Sequence, residues 1–110
     1  MERDLLTDLE LMVVLAVLRV GECAYGVPVS RTIEETTGRP VALALVYATL
    51  DRLETRGLVT SWVGDPTPER GGRAKRYFGV TAKGLKQIRD TQRAFVSMWR
   101  GIPALEDATP

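Results

Sequence analysis

Between Arg70 and Arg89 the chain carries seven cations, Arg70, Arg73, Lys75, Arg76, Lys83, Lys86 and Arg89, with no acid among them, a local net charge of +7. Clustered guanidinium and ammonium groups raise the local concentration of anions, and nucleic-acid phosphate is the commonest large anionic partner of a small domain. A solvated basic face is the plainer reading of the same run, and the element that carries the cations decides between them. The opposite sign sits at the other end: residues 1–18 hold Glu2, Asp4, Asp8 and Glu10 against Arg3 alone, a net of −3. The whole-chain charge of +1 conceals this asymmetry.

Other chemistries find little support. There is no histidine, so the usual general base and the commonest metal ligand are both missing, and the single Cys23 can form neither a Cys/His nucleophile pair nor a tetrahedral zinc site. Cys23 reads as a small buried hydrophobe. Glu34 and Glu35 are adjacent, which on a helix turns them about 100° apart rather than toward one substrate. We therefore expect no catalytic residues, no metal and no cofactor. With 110 residues, 45% hydrophobic and 26% charged, the chain suits one globular domain. Its longest apolar run, Leu11 to Leu18, is far short of the roughly 20 residues that span a bilayer, and the opening Glu2-Arg3-Asp4 is too acidic for a signal peptide. The expected setting is cytoplasmic, without membrane contact.

The elements that must position the cations follow from local signals. Thr7-Asp8-Leu9-Glu10 matches a capping box and starts a helix that is apolar nearly all round, from Leu9 to Val20. Such a helix needs cover on more than one side, which predicts a partner subunit and hence a homodimer. A second helix, entered through Pro28 and running to about Thr37, turns Val29, Ile33 and Thr36 or Thr37 inward, and Gly38 and Pro40 stop it. A third, about residues 42–56, carries Leu43, Val46, Leu50 and Leu53 as a one-sided stripe. Residues 58–63 and 75–81 read as strands, joined by a long loop, Gly64 to Arg73, dense in Gly and Pro. Thr81 caps a last helix in which Leu85, Ile88, Gln92, Phe95 and Trp99 form a coiled-coil-like seam.

Three helices, a two-stranded hairpin with a long basic tip and a closing helix describe a mainly α fold with a two-stranded β-wing: a winged helix-turn-helix with a C-terminal dimerisation helix. Residues 5–81 form the DNA-binding domain, 82–100 the dimerisation helix and 101–110 a disordered tail. In this geometry the third helix enters the major groove of double-stranded DNA and the wing follows the backbone, so Arg70, Arg73, Lys75 and Arg76 stand where phosphates pass.

Particular residues carry a family resemblance as well. Glu10 to Leu18 with Tyr25-Gly26, then Val46-Tyr47-Ala48-Thr49-Leu50-Asp51-Arg52-Leu53-Glu54 with Gly57-Leu58-Val59, then Gly71-Gly72-Arg73-Ala74-Lys75-Arg76-Tyr77 and Val80-Thr81-Ala82-Lys83-Gly84, together resemble the short PadR transcriptional regulators. The resemblance spans about residues 5–100. It implies a homodimeric winged helix repressor whose C-terminal helix swaps across the dimer, with DNA contact from the start of the third helix, from Tyr47 and from the wing cations. The helix start departs from the family pattern: Val41-Ala42-Leu43-Ala44 supplies no side-chain cap and few donors to base edges. Ala42 or Ala44 then touches a thymine methyl, and Thr49 or Arg52 reaches a base or phosphate. For Tyr47 a half-buried core aromatic and a phosphate ligand both stand open. Arg52 with its acidic neighbours also reads as a surface charge cluster.

The resemblance implies, finally, an apolar cleft at the dimer interface for flat effectors. Here Phe95, Val96 and Trp99 would face Leu11, Val14 and Leu18 across it, and a small apolar or aromatic effector fits better than an anion. Plain dimer packing accounts for the same stripe. A winged helix that docks a protein instead of DNA is the alternative reading of the whole chain.

Overall fold

The computed structural model describes residues 5–65 and 74–106. Helix α1 spans Asp8–Val20 and opens on the expected capping box: the Thr7 hydroxyl accepts from the Glu10 amide at 3.1 Å, and the Thr7 amide donates to Glu10 Oε1 at 2.9 Å. Val13, Val14, Ala16 and Val17 are buried, whereas Leu15 and Leu18 on the far side stay exposed. Helix α2 spans Gly26–Thr37 and buries Val29 and Ile33; Thr36 and Thr37 do not join them but stand exposed. The Thr37 hydroxyl instead donates to the Ile33 carbonyl at 2.7 Å, a bond available on the solvent side of the last turn.

Helix α3 spans Leu43–Thr55 and packs Val46, Leu50 and Leu53 into the core. Leu43, expected in the same stripe, is exposed: residues 42–45 are all solvent-facing, so the first turn stands clear of α1 and α2. Gly57, at φ +79°, makes the left-handed turn out of α3 that a side chain would resist. Strand β1 (Val59–Val63) then pairs antiparallel with β2 (Arg76–Val80), Val59 opposite Val80 and Ser61 opposite Phe78. The Phe78 amide donates to the Ala24 carbonyl at 2.8 Å, which ties the sheet to the segment between α1 and α2. Val59 and Phe78 close the core from the sheet side, and Trp62 and Tyr77 pair on the opposite face with ring centroids 6.2 Å apart. The expected long hairpin tip, with Arg70 and Arg73, lies outside the described residues.

Helix α4 spans Ala82–Trp99, and the Thr81 hydroxyl accepts from the Gly84 amide at 3.0 Å as its cap. Its intrachain face is separate from the seam expected to meet a partner subunit. Gly84, Gln87 and Thr91 are the buried positions, and the Thr91 hydroxyl accepts from the Leu6 amide at 3.1 Å while donating to the Gln87 carbonyl at 2.8 Å. Gln92, Phe95 and Trp99 of that seam are exposed. A short helix α5, Pro103–Glu106, replaces the first part of the expected disordered tail, since Pro103 is preset for a first helical turn. Cys23 is exposed rather than buried, at the end of the 3₁₀ turn Gly21–Cys23 between α1 and α2. Among the described residues no helix is long and apolar enough to cross a membrane.

Candidate nucleic-acid interface

The exposed side of α3 presents Leu43, Ala44, Leu45, Ala48, Asp51 and Arg52, with Ala42 just before it. Ala42 and Ala44 are both exposed. Thr49 is not. It is fully buried and its hydroxyl donates to the Leu45 carbonyl at 2.8 Å, so it leaves the candidate set. Its position three residues after Val46 and one before Leu50 puts it on the core stripe, where a short hydroxyl satisfies itself by bonding back along the helix. Arg52 is exposed and makes a long 3.5 Å contact to Thr49 Oγ1.

Tyr47 is half-buried between two elements. Its ring lies 6.3 Å from that of Phe78, and its hydroxyl end lies against Gly26: a Cβ there would stand 2.4 Å from the Tyr47 ring. Gly26 is thus the space that Tyr47 fills, and the Tyr25-Gly26 pair belongs to the interface by packing.

On the wing, the Lys75 ammonium stands 4.6 Å over the Tyr25 ring, itself edge-on to Tyr77 at 6.0 Å. Among the described residues this cation rests on an aromatic face and has no acidic partner. Arg76 is placed differently, inside a cluster with Asp51 and Glu54 of α3 and Ser61 of β1. The Ser61 hydroxyl, and then Arg76, hold the Glu54 carboxyl below the usual carboxylate range. Burial works against the Arg76 charge, but the hydrogen bonds it donates to Glu54 and Asp51 outweigh it and raise its pKa above the ordinary guanidinium value. Sequence reading grouped the α3 acids with Arg52. Spacing along α3 shows that Asp51 and Glu54 share a face, but only the folded hairpin brings Arg76 to them.

A second feature lies where α1 meets α4. Leu11, Leu15, Ile88, Gln92, Phe95, Val96 and Trp99 line an apolar cleft of about 320 Å3. Four of the six expected residues are there. Val14 is buried in the core instead, and Leu18 is exposed one turn beyond the cleft, which is one turn of α1 wide and is completed by Leu15. The same region joins the interface through polar contacts: Glu10, at the start of α1, accepts from Arg56 at the end of α3 at 3.3 Å. Among the described residues no group of His, Cys, Asp or Glu is arranged to hold a metal ion.

Residues 14–90 match the family described as the transcriptional regulator PadR-like family. Among solved structures the chain is similar to a PadR family transcriptional regulator from Eggerthella lenta, at 25% identity and a TM-score of 0.69, covering 92% of this chain and 89% of that one. A PadR-like transcriptional regulator from Bacillus cereus shares the fold at 20% identity and a TM-score of 0.69, over 88% and 89% of the two chains. The hsRosR-S4 complex matches at 25% identity and a TM-score of 0.68, over 91% and 78%. A comparison with curated proteins finds no match.

Proposed function

The chain belongs to the PadR-like family of transcriptional regulators, and from that premise we propose that it is a cytoplasmic homodimeric repressor. It grips double-stranded operator DNA with α3 and the basic wing and is released by a flat apolar effector bound between α1 and α4. One observation supports the DNA side: an exposed α3 surface stands beside a wing on which the Lys75 ammonium rests 4.6 Å over the Tyr25 ring. Phosphate contacts then come from Lys75, Arg52 and the Tyr47 hydroxyl, with Arg70 and Arg73 at the wing tip. Ala42 and Ala44 meet thymine methyls in the major groove.

In a gel shift with the DNA upstream of its own coding region at about 0.1 M salt, the protein is expected to retard the fragment. Lys75→Gln is expected to weaken binding and to flatten the salt dependence by about 0.9 per protomer, the loss of one neutralised phosphate. An unchanged slope removes Lys75 from the phosphate contacts.

For the effector, supporting observations are the cleft itself and the position of Trp99 on its wall. Flat aromatic compounds are expected to quench Trp99 emission, and Trp99→Ala is expected to abolish that quenching while Trp62 continues to emit. Equal quenching in both proteins would place the compound elsewhere.

A second reading has a specific observation in its favour. Leu43 and Leu45 are 41% and 44% exposed on the face that should enter the groove. Large apolar groups there also suit a docked protein, with α3 as the docking helix. A protein that retards no DNA, yet loses a cellular partner on Leu45→Asp, supports that reading.

A further inference from the structure

Each of the three guanidinium nitrogens of Arg76 has a partner. Nη1 lies 3.0 Å from Asp51 Oδ1, Nη2 donates to Glu54 Oε1 at 2.6 Å, and Nε donates to Ser61 Oγ at 3.2 Å. Ser61 in turn donates to Glu54 Oε2 at 2.7 Å, so both oxygens of that carboxylate are engaged within the cluster. The guanidinium carbon also stands 4.7 Å from the centre of the Phe78 ring, which is fully buried. Asp51 and Glu54 belong to α3, Ser61 to β1 and Arg76 to β2. One side chain thus joins all three elements of the nucleic-acid interface.

The charge count argues against a phosphate role. One cation between two carboxylates leaves the cluster at −1, so an arriving phosphate meets net repulsion and must displace two charge-assisted hydrogen bonds. With the Arg76 side chain 39% exposed, each ion pair adds little to global stability. What the arrangement supplies is orientation, since a planar guanidinium bonded along three directions fixes the angle between the elements it touches.

We propose that Arg76 is a positioning residue that locks the wing against α3, and not a ligand of the DNA backbone. The proposal rests on the DNA-binding reading for only one of its two readouts. The other is the exchange rate of the Gly64 amide in DNA-free protein. Gly64 donates to the Lys75 carbonyl at 2.8 Å, a hairpin bond just beyond Arg76 toward the tip, and reports directly on wing order.

Glu54→Gln and Arg76→Lys are the variants. Both keep the fold's core intact; the first removes one acid, and the second keeps the charge but loses the three-way geometry. Both are expected to speed Gly64 exchange by about fivefold or more and to weaken DNA binding by a similar factor, corresponding to roughly 1 kcal/mol. The sign for Glu54→Gln is diagnostic. Removing a negative charge from a DNA-facing surface should tighten binding if only long-range electrostatics matter. Unchanged Gly64 exchange in both variants overturns the lock, as does tighter binding by Glu54→Gln together with wild-type affinity in Arg76→Lys. Should the wild-type protein bind no DNA, the regulator reading fails, and Gly64 exchange still decides the role of Arg76.

Discussion

Gly84→Ala is expected to destabilise the protein by about 3 kcal/mol or more in urea denaturation, the upper range for forcing atoms into a packed site. A Cβ at this position would fall 2.1 Å from the Leu58 carbonyl oxygen and 2.8 Å from Val80 Cγ1. The Val80 methyl could rotate away. The Leu58 carbonyl cannot, because it is backbone at the start of the wing and accepts the Thr81 amide at 3.0 Å. Relief requires the first turn of α4 to lift off the sheet, which would strain the Thr81 cap and its 2.7 Å bond to the Gly57 carbonyl. The midpoint shift measures this directly, and wild-type stability in Gly84→Ala would mean that α4 does not approach the sheet so closely. The functional consequence is specific, since this contact connects the helix that lines the cleft to the strands that carry the wing.

The second large effect concerns association. Phe95 and Trp99 are 49% and 63% exposed, one turn apart, and Leu15 of α1 lies on the same cleft. A contiguous apolar patch built from two helices marks an interaction site, and the proposed homodimer supplies a second copy of the same patch. Fully covering side chains of this size stabilises by roughly 1.5–3 kcal/mol each. Phe95→Asp with Trp99→Asp replaces that gain by two carboxylates that would be buried without cations. Light scattering at micromolar concentration is expected to give about twice the 12.1 kDa chain mass for the wild type and a single chain mass for the double variant. Both positions are exposed in the single chain, so the variant should remain folded, and a wild-type mass near 12.1 kDa would refute the dimer.

Much of this architecture was legible along the chain because its signals are local. The Thr7–Glu10 capping box, the Thr81 cap and the stop at Gly38 each depend on residues within a few positions, and each stands as expected. The errors share a different cause. Thr49 counted as a groove residue because a hydroxyl on α3 is chemically suitable, yet burial depends on how far α3 rolls against α1 and α2. Val14 and Leu18 followed from helical periodicity alone, whereas the line where α4 crosses α1 admits Leu15 instead.

Arg76 shows the division most clearly. Composition and order alone determined that a cationic hairpin follows a third helix in a small winged domain, because charge and hydrophobic period are properties of the residues themselves. Which cation packs on an aromatic ring and which joins an acidic cluster was settled only by tertiary structure. Arg76 meets Glu54 across 22 positions of chain, at the junction of α3 with the sheet, while Lys75, its immediate neighbour, points to an aromatic ring. Successive residues of a strand face opposite sides, so adjacent cations with the same charge acquire opposite partners once the strand is laid on its helix.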